Sequence, residues 1–156
     1  MSGRIGIGYD SHRFGGPGPL MLGGVEVPSE AGLEGHSDAD VITHALCDAI
    51  LGACGEGDIG RWFPDDDERW RDADSLALLG EVVGRLSPEV ANVDITVICE
   101  RPKLGPHREA IEERLGASID APVTLKATTN EGMGAIGRGE GIAVIAVCLL
   151  AGPVAG

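Results

Sequence analysis

Basic residues are scarce in this chain: twelve Lys and Arg stand against 25 Asp and Glu, a net charge of −13. That balance excludes a surface built to cover nucleic acid or an anionic membrane, because both are bound through arrays of cations. Long apolar runs are also absent. The longest, residues 142–151, is about half of the roughly 18 residues that a membrane helix requires. The opening segment MSGRIGIGYDSHRF lacks the apolar run and small-residue cleavage site of a secretory signal. The four cysteines, Cys47, Cys54, Cys99 and Cys148, contain no C-x-x-C pair. This argues against a disulfide framework or a thiolate zinc finger, and for a reducing, cytoplasmic setting. Aromatic residues amount to only 3%.

Glycine is abundant instead, 25 in a chain of 156, a length that suits one domain around one core. Residues 4–9 alternate, placing Ile5, Ile7 and Tyr9 on one face of a strand and Gly6, Gly8, Asp10 and His12 on the other. A Gly/Pro loop over 15–19 leads into a predicted hairpin over 20–27 that turns at Gly23-Gly24. Ser37 then caps a helix, with Asp40 three residues on in a capping-box pattern. Val41, Ile42, Ala45, Leu46, Ala49, Ile50 and Ala53 form the apolar stripe of that helix. Residues 54–73 carry no period and include a turn at Pro64-Asp65-Asp66-Asp67; so long a connection in a small domain reads as a functional lid. Beyond it the pattern predicts helices over 74–86 and 107–115, and strands over 91–99, 123–128 and 142–150. The class is α/β or α+β, one domain over residues 1–156, with helices on one face of a sheet.

Two segments fit G-x-G-x-x-G, 55–60 and 132–137. Neither has the preceding strand and following helix of a dinucleotide site, which excludes that reading. Asp10-Ser11-His12 is a better signal. At a strand end, positions i and i+2 share a face, so a carboxylate and an imidazole stand side by side, and Gly6 and Gly8 leave that face open. Alone the motif reads most simply as a surface pair. His44, mid-helix and one turn from Asp48, adds a third donor. Asp, His and His from two elements make the three-ligand set of a catalytic zinc with one position open. His36 and Ser37 precede the same helix, where free N–H groups favour an anion, although a plain cap accounts for Ser37 equally well. Thr128, Thr129, Asn130 and Glu131 end a strand and open the glycine loop, offering hydroxyls, an amide and a carboxylate to a hard cation. Residues 101–106 and Arg138 are local positive spots, a type that is ordinarily only solvated surface.

In order along the chain stand D-S-H (10–12), H-S-D-A-D-V-x-x-H-A-L-x-D-A (36–49), D-I-G-R-W-F-P-D (58–65), R-P-K-L-G-P-H (101–107) and K-A-T-T-N-E-G-M-G-x-x-G-R-G-E-G (126–141). Together, over essentially the whole chain, they resemble the 2-C-methyl-D-erythritol 2,4-cyclodiphosphate synthase family. The resemblance implies a homotrimer of α/β subunits, each pairing a four-stranded sheet with helices on one face and a small β-hairpin, with active sites between neighbours. It implies a lyase of the non-mevalonate isoprenoid pathway that cyclises 4-diphosphocytidyl-2-C-methyl-D-erythritol 2-phosphate and releases CMP.

Carried over by position, Asp10, His12 and His44 would hold Zn2+, whose fourth ligand is a β-phosphate oxygen of the substrate. Glu131 would hold a second ion, Mg2+ or Mn2+, bridging the α- and β-phosphates. His36 and Thr129 would stabilise the transition state, with Ser11, His36 and Ser37 against the substrate. Asp58, Ile59, Gly60 and Phe63, with Pro64, Asp65, Asp66 and Asp67, would contact the methylerythritol unit. Cys99, Glu100, Arg101, Pro102, Lys103, Leu104 and Gly105, with Thr128, Thr129, Asn130 and Glu131, would hold the cytidine and its phosphates from the adjacent subunit. Family members often carry Phe where this chain has Ala135, in a cavity on the trimer axis that takes isoprenoid diphosphates. Ala135 reduces the apolar contact there, and Arg138 keeps the charge.

The implied chemistry suits the composition. An acidic protein can bind a polyanion if two metals, a helix terminus and a few cations supply positive charge locally. The attacking phosphate oxygen is already ionised and requires no strong base. Two other classes could use the same residues. A zinc phosphohydrolase would need a base beside the open metal position, for which His36 is the candidate; a non-catalytic phospho-ligand-binding protein would have no use for an open three-ligand metal site.

Overall fold

Gly6 and Gly8 decide where the main helix lies in the computed structural model, which describes residues 3–35 and 37–152. They belong to β1 (Arg4–Pro17), whose even-numbered residues face inward as the alternation predicts. Across them lies α1 (Val41–Cys54). A Cβ on Gly6 would overlap the carbonyl oxygen of Ala49, and one on Gly8 that of Ala45. Two backbones are therefore in direct contact, with alanine carbonyls on one side and glycine Cα atoms on the other. The helix presses Ile42, Leu46 and Ile50, all fully buried, into the core. Each such side chain contributes about 1.5–3 kcal/mol of burial.

The sheet has five strands in the order β4-β1-β7-β5-β6, where β4 is Ala31–Leu33, β5 Val90–Ile98, β6 Val123–Thr128 and β7 Gly141–Leu150. This corrects the expected four. The extra edge strand is three residues centred on Gly32, too short to show a period. β1 is longer than the expected 4–9, because it pairs with β7 from Arg4↔Leu150 to Arg13↔Gly141 and then with β4 through Phe14↔Leu33 and Pro17↔Ala31. The loop expected over 15–19 is therefore mostly strand. Asp10 and His12 consequently sit inside a strand, not at its end. β5 and β6 are parallel and joined through α4 (Arg108–Ile119). The hairpin β2 (Leu20–Leu22) and β3 (Val25–Val27) turns at Gly23 and Gly24 as expected, both at positive φ.

The cap of α1 differs from expectation. Asp40, not Ser37, is the N-cap, and Ser37 lies outside the helix at φ 58°. A buried carboxylate accepts more bonds than a hydroxyl. Asp40 takes the Thr43 N–H (3.0 Å), the Thr43 hydroxyl (2.8 Å), and the Gly23 and Gly24 N–H groups of the hairpin turn (2.8 and 2.7 Å). Burial pushes its carboxyl up and these four donors oppose the shift. The helix is thus capped by Asp40, and His44 falls in its first turn, not mid-helix.

The long connection after α1 is partly ordered into α2 (Ile59–Trp62) and a 3-10 turn (Glu68–Trp70) before α3 (Ser75–Leu86). Three of the few aromatics close it: Phe63 meets Trp70 edge-on at 4.7 Å and Trp62 at 6.2 Å. On the opposite side of the sheet Ile5, Ile7 and Tyr9 are 71%, 68% and 60% exposed, with Val147 and Leu149 beside them.

Gly8→Ala should cost at least about 3 kcal/mol, since backbone atoms of α1 cannot yield as a side chain does. Gly80→Ala, exposed in the interior of α3 with open space around it, should instead stabilise by about 0.5–1 kcal/mol. Urea unfolding distinguishes the two. The same measurement on Asp40→Ala should show a loss of about 2–4 kcal/mol, the helix cap plus two stranded hairpin N–H groups.

Candidate metal centre

Asp10 and His12 share the inward face of β1, and the glycine contact brings α1 close enough for His44 to join them. Asp10 Oδ2 lies 2.9 Å from His12 Nε2 and 3.2 Å from His44 Nδ1, and the two nitrogens are 3.4 Å apart. Zinc bound tetrahedrally at about 2.0–2.2 Å spaces its ligand atoms roughly 3.3 Å apart. The triangle has that size. Three electron-pair donors packed so closely repel one another unless a cation lies among them, and the donor set of one carboxylate and two imidazoles suits zinc.

The far side of each ring is fixed as a ligand requires. His12 Nδ1 is 2.8 Å from the Glu34 carbonyl oxygen, which can only accept, so Nδ1 carries the proton and Nε2 is left for the cation. His44 Nε2 is 2.9 Å from Ser75 Oγ. With protons standing in for a metal, burial works against charge on these groups and their mutual attraction outweighs it. Burial alone would raise Asp10, but the bonds and charges of His12 and His44 hold it down at about 2. Burial would lower His12, but the Asp10 carboxylate, with the Glu34 carbonyl, lifts it above the usual histidine value.

The triad opens into a cleft of about 220 Å³ lined also by Ser37, Ile59, Gly60, Phe63, Pro64 and Asp65, so the lid residues expected at the site meet it. Asp58, the N-cap of α2, accepts the Arg61 N–H at 2.9 Å and does not line the cleft. Asp48, one turn beyond His44, ties the lid to the helix by accepting the Ile59 N–H at 2.7 Å. Asp66 is exposed, and Asp67 is occupied by Arg69 at 2.6 Å. Ser11 points to the other face of β1. His36 lies outside the described residues.

A second cleft, about 1140 Å³, holds Glu100, Arg101, Pro102, Lys103, Thr129 and Arg138. Glu100 Oε1 accepts the Asn130 N–H at 2.9 Å, binding the 100–105 loop to the glycine loop. Cys99 is buried beneath, its thiol pushed up to about 11 by burial. Leu104 and Gly105 border a smaller hollow with Lys126. Thr128, Glu131 and Ala135 are exposed, and Arg138 is bound by Glu140 at 2.8 Å. None of Glu100, Lys103, Thr129 or Arg138 lines the triad's cleft, so within one chain the two groups of expected site residues stay apart. Sequence patterns pass over Ser75, Glu34 and Trp70; a serine opening a helix after a lid resembles any other cap until the fold brings it to His44.

The YgbB family model matches residues 3–151. The chain is 58% identical to the 2-C-methyl-D-erythritol 2,4-cyclodiphosphate synthase of Symbiobacterium thermophilum, over 95% of this chain and 98% of the relative. It is 55% identical to that of Aliivibrio salmonicida, over 94% and 96%. Among solved structures, a 2C-methyl-D-erythritol-2,4-cyclodiphosphate synthase with CDP bound superposes with a TM-score of 0.85 at 40% identity, over 94% of this chain and 99% of that one. The bifunctional IspDF of Campylobacter jejuni gives a TM-score of 0.90 at 41% identity, over 96% of this chain, which spans 42% of that longer protein. With a family model matching residues 3–151 and relatives of such identity over nearly the whole chain, the chain belongs to the YgbB family, the 2-C-methyl-D-erythritol 2,4-cyclodiphosphate synthases.

Proposed function

We propose that this chain catalyses the metal-dependent cyclisation of 4-diphosphocytidyl-2-C-methyl-D-erythritol 2-phosphate to 2-C-methyl-D-erythritol 2,4-cyclodiphosphate with release of CMP. The reaction belongs to the non-mevalonate isoprenoid pathway. The observation that carries the reading is the Asp10–His12–His44 triangle opening into a cleft roofed by an ordered lid. A zinc ion held there supplies Lewis-acid polarisation of a phosphate oxygen, and a magnesium or manganese ion at Glu131 supplies charge neutralisation on the diphosphate. The chain's own residues do the positioning. Ser37 and His36 would bind the substrate, Thr129 and His36 would stabilise the transition state, and Ile59, Gly60 and Phe63 would hold the polyol and exclude water. Lys103, Arg101 and the 128–131 hydroxyls and amides receive the cytidine diphosphate, in keeping with the CDP named in the solved relative. Catalysis is then orientation plus electrostatics, as for phosphoryl transfer generally.

The separation of the two clefts supports a shared-site assembly. A homotrimer in which the 100–105 and glycine loops of one subunit complete the triad cleft of its neighbour accounts for both. The exposed apolar face of Ile5, Ile7 and Tyr9 is the surface such packing would bury. Residues 1–156 act as one domain. No helix among the described residues is long and apolar enough to cross a membrane, and the four cysteines are buried free thiols, which suits the cytoplasm.

Run with the cytidyl substrate in oxygen-18 water, the protein should yield CMP and one cyclic product in equal amounts, neither labelled. Label in either product, or linear methylerythritol phosphates, identifies a phosphohydrolase and overturns the reading. For the assembly, the wild type should sediment as a trimer. Ile7→Glu should sediment as a monomer with a turnover lower by about 100-fold or more, the scale of losing a positioned substrate wall, while still binding zinc; a fully active monomer removes the shared site.

A further inference from the structure

His44 reaches its metal-facing geometry through a chain of hydrogen bonds that runs away from the cleft. Ser75, the first residue of α3, is fully buried, and its Oγ is 2.9 Å from His44 Nε2. Asp38, in the loop before α1, grips Ser75 twice. One carboxylate oxygen takes the Ser75 N–H at 3.2 Å, and the other takes the hydroxyl in a very short contact. Ser37 Oγ stands 3.4 Å from Ser75 Oγ and 3.5 Å from His44 Nε2, too far to compete with the shorter bonds.

The contacts of Ser75 fix where the proton lies at one end of the ring. A carboxylate can only accept, so the single hydroxyl proton of Ser75 goes to Asp38. Ser75 Oγ then presents lone pairs to His44, whose Nε2 must carry the proton. His44 Nδ1, 3.2 Å from Asp10 Oδ2, is thereby the ring nitrogen left to face a cation. We infer that Ser75 and Asp38 are positioning residues for the metal: they fix His44 as its Nε2–H tautomer and hold the ring so that Nδ1 is a ligand. This rests on the metal reading of the triad. It adds that the first residue of α3, Ser75, controls zinc affinity from outside the triad's cleft.

Asp38→Asn and Ser75→Ala test the two links. In Asp38→Asn, a side-chain amide that accepts the Ser75 N–H through its oxygen turns its NH2 toward Ser75 Oγ. That reverses the chain: the hydroxyl donates to His44 Nε2, and the proton moves to Nδ1, where it blocks the metal. Ser75→Ala leaves Nε2 without a partner and the ring free to turn. Ring 15N shifts of metal-free wild type should show His44 protonated at Nε2, and Asp38→Asn should show it at Nδ1. Zinc affinity, measured by chelator competition, should fall by about 10–100-fold in both variants, the range for losing a partner behind a metal-bound histidine. An Nδ1–H or mixed tautomer in the wild type overturns the inference, as does wild-type zinc affinity in both variants while His44→Ala is zinc-free; that second result leaves the metal site standing. A wild type that takes up no zinc overturns both readings.

Discussion

Everything at the centre depends on two backbones touching. With any side chain at residues 6 and 8 the helix would ride higher on the sheet by the thickness of a methyl group, and His44 would no longer reach Asp10 and His12. Metal ligands tolerate displacements of only a few tenths of an ångström. The same contact explains why α1 carries Ala45 and Ala49 toward β1 and its larger residues elsewhere. The glycines bear no chemistry themselves. They set the distance at which the chemistry becomes possible.

The cap adds the second coordinate. Asp40 binds the hairpin turn and the helix terminus in one carboxylate, so α1 is fixed along its axis as well as in height. The surrounding charge is arranged differently. Arginines around the lid and glycine loop are largely spoken for by near neighbours: Arg69 by Asp67, Arg71 by Glu68, Arg138 by Glu140. In a chain of net charge −13 this leaves the triad's cleft to draw its positive potential from whatever cation the triad holds.

Much of this is legible in the sequence, and the departures have physical reasons. The alternation of β1 predicts which residues face the helix, because period-2 patterning survives even when the inward residues are glycines. Asp10, His12 and His44 can be assembled from spacing and family motifs. The cap is ambiguous because Ser and Asp both suit an N-cap, and what decides between them is a hairpin 16 residues upstream that no local pattern encodes. β4 has no period to detect. Ser75 is hidden for the same reason as the cap: its partner His44 is 31 residues distant, and only packing of α3 against α1 joins them. Residues whose role is set by sequence neighbours or carried by a family motif are readable; Asp40 as cap and Ser75, whose roles are set by partners across the core, are not.

The strand order has a consequence for how the molecule comes into being. β7 lies in the middle of the sheet, between β1 and β5, yet it follows every other strand in the chain. A ribosome therefore releases β1 before its long antiparallel partner, which comes only after α1, α3, α4 and the other described strands, so neither half of the sheet has its central member until β7 has been made. In the interval β1 offers an unpaired edge, and the apolar face of Ile5, Ile7 and Tyr9 is bare. Closing so long a loop is slow, and folding is correspondingly held back until late. The three candidate metal ligands, none later than His44, emerge long before the strand that locks their scaffold.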